Sequence, residues 1–154
     1  NMTSTGSDVH TGAGSRWRVA ARRRILPGMT TQNLILMTLA GGLGALCRWG
    51  LGGIVQRLAG ERFPAGTLAV NLLGCLLFGL AWGWLEVRGG FSPQIRVVVL
   101  TGFMGAFTTF STFAFETANL LQGGQWLAAA INVGVQTVAG VLLVFAGLAL
   151  AQNL

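Results

Sequence analysis

Four hydroxyl side chains, Thr108, Thr109, Ser111 and Thr112, crowd into the apolar stretch Thr101–Glu116, together with the glycines Gly102 and Gly105 and the phenylalanines Phe110 and Phe113. A hydroxyl in hydrocarbon must find a partner or cost free energy, so a segment of this kind handles something polar. The groups available are hydroxyl donors, backbone carbonyls and aromatic rings. Two glycines followed by hydroxyls able to bond the backbone predict a helix break, where unwound carbonyls point inward and offer a cation a substitute hydration shell. Phe110, Phe113 and Glu116 follow one another a turn apart. Such a cluster fits plain packing, but the positively polarised edge of an aromatic ring also suits a small anion. No catalytic constellation accompanies these residues, and an enzyme is not expected.

Two further polar stripes stand in apolar surroundings. Thr67, Asn71, Gly74 and Phe78 recur at intervals of four, three and four and so share one helix face. Asn71 brings two donors and an acceptor, which suit either a link between helices or a polar pore wall. Asn132, Gln136 and Gly140, spaced by four with Thr137 beside them, form the second stripe. Arg48 lies in another apolar run, where a guanidinium must face protein, water or the interface. It fits an anchor for a helix end or an attractor of anions to a vestibule.

The elements that must position these groups are membrane spans. The chain is 53% hydrophobic and 9% charged, far from the roughly one quarter charged that is usual for soluble domains. Apolar runs predict four helices at about 33–58, 64–87, 93–121 and 126–150, giving an all-α membrane domain over residues 30–154. Pro64 suits the first turn of the second helix, and Gly89-Gly90 and Gly123-Gly124 mark connections. Residues 1–29, rich in Gly, Ser and Thr and then in arginine, are expected to be a disordered basic tail. Five of the ten arginines lie there with a single acid, Asp8, so most of the formal charge of +6 belongs to that tail and does not signal nucleic acid. Cys47 and Cys75 fall in apolar runs and read as buried free thiols, and the lone His10 is in the tail. Small residues at Gly41, Gly42, Gly44 and Ala45 predict a close backbone approach in the first helix.

Gly105-Ala-Phe-Thr-Thr-Phe-Ser-Thr-Phe113, with Gly66-Thr-Leu-Ala-Val-Asn-Leu-Leu-Gly74 and Gly41-Gly-Leu-Gly-Ala-Leu-Cys-Arg48, resembles the CrcB/Fluc family of fluoride channels. The likeness covers residues 33 to 150, and its most specific part is the Thr-Thr-Phe-Ser-Thr-Phe string. It implies a four-helix subunit with a break in helix 3, paired antiparallel with an identical copy in a dual-topology homodimer with two pores. By this resemblance Phe110 and Phe113 line the fluoride path with ring edges, Asn71 is its asparagine, and Thr67 lies on the same wall. The carbonyls of Gly105 and Thr108, from both subunits, match positions that hold a structural sodium ion. Ser111, Thr112 and Glu116 match positions near the pore. Two departures stand out. Ala106 replaces a common second glycine, and Asn132, Gln136 and Gly140 stand where the family often has a tyrosine and serines.

The implied partners are fluoride, sodium, a second copy of the chain and the lipid bilayer, and the implied place is a bacterial inner or plasma membrane. Arginines provide an orientation test. Arg88 and Arg96 on one side balance Arg57 and Arg62 on the other, a tie that leaves the positive-inside rule without a preference. Adding the tail arginines breaks the tie, so the functional chain is expected to start near Met29. The rival class is a proton-coupled exporter like the small multidrug resistance transporters. It requires a membrane-embedded carboxylate on helix 1, where this chain has Arg48 and no acid.

Overall fold

Four runs of apolar residues leave the backbone in lipid no way to satisfy its polar groups except within each segment, and every span is accordingly helical. The computed structural model describes residues 30–87 and 92–153. The basic tail expected over residues 1–29, with Arg88, Gly89 and Gly90 of the second connection, lies outside the described residues. Among those described there is no strand. Helix α1 is Thr31–Ala59 and α2 is Ala65–Val87. The third span, Pro93–Gln122, is composite. It comprises α3 (Pro93–Val97), a π-helical stretch Val98–Met104, α4 (Gly105–Phe107) and α5 (Phe110–Gln122). Helix α6, Trp126–Gln152, is the fourth. All four spans are long and apolar enough to cross a bilayer, which makes this a multi-pass membrane protein.

Helices α2 and α6 make the most extensive pairing. Gly79 lies against the Val144 carbonyl and Gly147 against the Leu76 carbonyl, so closely that a Cβ on either glycine would strike backbone. Without a hydrophobic drive between helices in lipid, such backbone contact supplies van der Waals packing that larger residues would prevent. Helix α1 packs on the π-helical stretch, with buried Gly44 against the Phe103 carbonyl. Val70, Met104 and Phe107 form the buried core where spans two and three meet.

The connection between α1 and α2 is closed from within. Gln56 Nε2 donates to the carbonyls of Gly60 at 2.6 Å and Phe63 at 2.9 Å, and Gln56 Oε1 accepts from Gly66 N–H at 3.0 Å. Gly60 takes the positive φ of 83° that the turn requires. At the start of the third span Ser92 caps α3, and Arg96 donates to the Leu85 carbonyl at 2.8 Å, tying that start to the end of α2.

Candidate functional site

Thr108 and Thr109 are extended, with φ/ψ of −83°/162° and −150°/106°, whereas Gly105 keeps helical angles of −64°/−32°. Gly102 lies in the π-helical stretch. The Thr108 N–H still reaches the Met104 carbonyl at 3.1 Å. The next donor departs from the helix: Thr109 N–H goes to Asn71 Oδ1 at 2.8 Å. Asn71 Nδ2 in turn donates to the Thr109 carbonyl at 3.1 Å. Thr109 then caps α5, its Oγ1 accepting from Thr112 N–H at 3.3 Å and lying 2.8 Å from Thr112 Oγ1.

A chain of side chains leads away from this pair. Asn71 Nδ2 donates to Gln136 Oε1 at 2.7 Å, Gln136 Nε2 to Asn132 Oδ1 at 2.9 Å, and Asn132 Nδ2 to Thr117 Oγ1 at 2.9 Å. Thr117 gives its proton to the Phe113 carbonyl at 2.8 Å. Asn132 is completely buried. The two polar stripes of the sequence therefore meet each other, Asn71 against Gln136, with Asn132 directed at α5.

Two cavities flank Thr109. The smaller, about 430 Å³, is lined by Asn71, Thr108, Phe110, Phe113, Gln136 and Thr137, with Cys75 on its wall. The rings of Phe110 and Phe113 stand 5.6 Å apart, tilted by 54°. Phe110 is 78% exposed on the single subunit, while Phe113 is half-buried. The larger cavity, about 620 Å³, is lined by Arg48, Gln56, Thr67, Thr112 and Glu116. Thr109 belongs to both walls. Thr67 Oγ1 donates to Glu116 Oε1 at 2.8 Å, and Glu116 Oε2 is buried without a hydrogen-bond partner among the described residues. Ser111 is exposed on the outer surface.

The carbonyls of Gly105 and Thr108 are the groups here that could serve a cation. In an uninterrupted helix the Thr109 N–H would close on the Gly105 carbonyl, and Asn71 has taken that donor. Gly105 is exposed, and the nearest atom to a Cβ placed on it is the Leu100 carbonyl oxygen at 4.0 Å, so its surroundings are open. Thr108, being extended, turns its carbonyl away from the helical direction. Neutral carbonyls of this kind suit a hard monovalent cation.

Three contributors escape residue-type reasoning. Gln56 organises a connection, Thr117 joins Asn132 to the Phe113 carbonyl, and the peptide of Thr109 acts through backbone. The only sequence signal for Thr117 is its place one turn beyond Phe113.

The family model described as CrcB-like protein, Camphor Resistance (CrcB), matches residues 35–148. Three similar proteins bear the name fluoride-specific ion channel FluC. That of Nitratidesulfovibrio vulgaris is 56% identical over 117 residues, 76% of this chain and 94% of the relative. The protein of Maridesulfovibrio salexigens is 47% identical over 118 residues, 77% of this chain and 94% of its own length. The protein of Nitrosococcus oceani is 50% identical over 121 residues, 79% of this chain and 97% of its own length.

Proposed function

We propose that this chain, which belongs to the CrcB family, is a fluoride-selective channel that lets fluoride leave the cell passively. Fluoride enters as neutral hydrogen fluoride under acidic conditions and is trapped as the ion at higher internal pH. A selective pore returns it down its electrochemical gradient and lowers its toxicity. The observation that carries this reading is the smaller cavity, lined together by the rings of Phe110 and Phe113, the amide of Gln136 and the hydroxyl of Thr137, with Asn71 and Thr108 on its wall. Ring edges and neutral donors can replace part of an anion's hydration shell without a fixed positive charge that would trap it. Thr67, Thr112 and Glu116 belong to the adjoining cavity, where Arg48 draws anions toward the entrance. Ser111 and Asn132 complete the polar set, the first on the outer surface and the second behind Gln136.

The channel works as an antiparallel pair of identical subunits. Thr101, Gly105, Ser111 and Thr112 are exposed within the third span, and lipid offers the hydroxyls of Thr101 and Ser111 no partner, whereas a second copy would cover that surface. The balanced arginines of the connections suit insertion in both orientations. A sodium ion between the subunits, held by the Gly105 and Thr108 carbonyls of each, is supported by the donor that Asn71 diverts from Gly105. When bound, the ion would supply a fixed positive charge that neutralises converging carbonyls; the residues of this chain present those carbonyls and line the anion path. Purified protein reconstituted in liposomes should release fluoride, read by a fluoride electrode, and retain chloride. Equal release of both ions, or of neither, would sink the reading.

A further inference from the structure

We propose that Asn71 is a positioning residue: its side-chain amide takes the place of a peptide group beside Thr109, holds the third span extended there, and so frees the Gly105 carbonyl for a cation. The channel reading supplies only the last link of this proposal, the cation. The pairing itself is reciprocal, since Asn71 Oδ1 accepts from Thr109 N–H at 2.8 Å and Nδ2 donates to the Thr109 carbonyl at 3.1 Å. An asparagine amide has the donor and acceptor of a peptide on a movable stem, and this one pairs with Thr109 as a neighbouring strand would.

The polarity of the whole chain of amides follows from Thr109. A backbone N–H only donates, so Asn71 must present Oδ1 to it and Nδ2 to the carbonyl. Both Nδ2 hydrogens are then engaged, one on Thr109 and one on Gln136 Oε1 at 2.7 Å. Gln136 is left to donate to Asn132, and Asn132 to Thr117, whose own proton goes to the Phe113 carbonyl. One orientation of every amide satisfies both backbone ends. Gln136 and Asn132 on α6 thus hold the Asn71 amide in register, although neither bonds to Gly105 or Thr108. A lining role in the pore would need none of this directionality. Burial of Asn132 at 0% exposure places it in the support and away from the smaller cavity.

The test uses the full chain reconstituted in lipid, with the variants Asn71→Leu, Gln136→Leu and Gln136→Glu, the last keeping an oxygen that accepts from Asn71. Two quantities are read: hydrogen exchange at the Thr109 amide, and the sodium concentration giving half-maximal protection against thermal denaturation. Asn71→Leu should speed Thr109 exchange by about tenfold, the effect of one net hydrogen bond, and raise the sodium half-point. Gln136→Leu should move both in the same direction by less, and Gln136→Glu should restore them toward the parent values. Unchanged Thr109 exchange in both leucine variants overturns the clip. Faster exchange with an unmoved sodium half-point overturns its link to the Gly105 carbonyl. A parent protein indifferent to sodium overturns that link together with the sodium ion of the channel reading, and the exchange measurement still decides the clip by itself.

Discussion

Thr67 Oγ1 donates to Glu116 Oε1 across 2.8 Å, joining the second span to the third on the wall of the larger cavity. The partnership is unequal, because the other carboxylate oxygen, Oε2, is buried with no hydrogen bond among the described residues. Thr67→Val leaves a second carboxylate oxygen unpaired and should lower stability by about 1–3 kcal/mol. Glu116→Gln keeps an oxygen for Thr67 and should cost less. Thermal denaturation of the purified single and double variants measures the coupling, and additive effects would show that the bond contributes nothing.

The smaller cavity makes a prediction about conduction. Phe110→Ile preserves apolar bulk and removes the polarised ring edge, so fluoride efflux should fall by about tenfold, roughly 1.4 kcal/mol in the barrier. Asn71→Asp keeps an acceptor for Thr109 N–H but sets a negative charge beside the anion path and should also strongly reduce efflux. Liposome efflux measurements on both variants check this, and undiminished flux in the pair would remove this cavity from the fluoride path.

Backbone contact between α2 and α6 predicts an asymmetry among glycines. Gly79→Ala places a methyl against the Val144 carbonyl and should destabilise by about 1–3 kcal/mol as an overpacked site. Gly134→Ala, in the same pair of spans, meets nothing within 4 Å and should stabilise by about 0.5–1 kcal/mol. Opposite shifts in melting temperature are expected.

Gln56 serves three backbone groups of the first connection at once. Gln56→Leu should therefore accelerate hydrogen exchange and proteolysis across residues 59–66 while leaving exchange in α6 unchanged. Equal protection in parent and variant would show that the connection is held by other contacts.

Much of this was legible in residue order. Long apolar runs placed the four helices within two or three residues of their observed ends, because the thickness of a bilayer leaves little choice of length. The spacing of Asn132 and Gln136 put them on one face, yet spacing cannot say what that face meets. Gln136 reaches the smaller cavity while Asn132 points to Thr117. The glycines of the third span drew attention to Gly102 and Gly105, but the extended residues are Thr108 and Thr109. Local propensity was outweighed there by a partner 38 residues away, Asn71. The π-helical stretch Val98–Met104, on which α1 packs, left no recognisable signal in the residue order.

Because Gln56 satisfies Gly60, Phe63 and Gly66 from within the same hairpin, these backbone groups of the corner between α1 and α2 need no hydrogen bond from the later spans. Gly66 already rests on the Gly52 carbonyl across that corner. During synthesis the backbone groups of that turn can therefore be satisfied before the later spans emerge, while the charged side chains of Glu61 and Arg62 hold the corner at the water interface. A corner closed in this way presents the same backbone requirement in either orientation, so it leaves the choice of side to the charges of the chain.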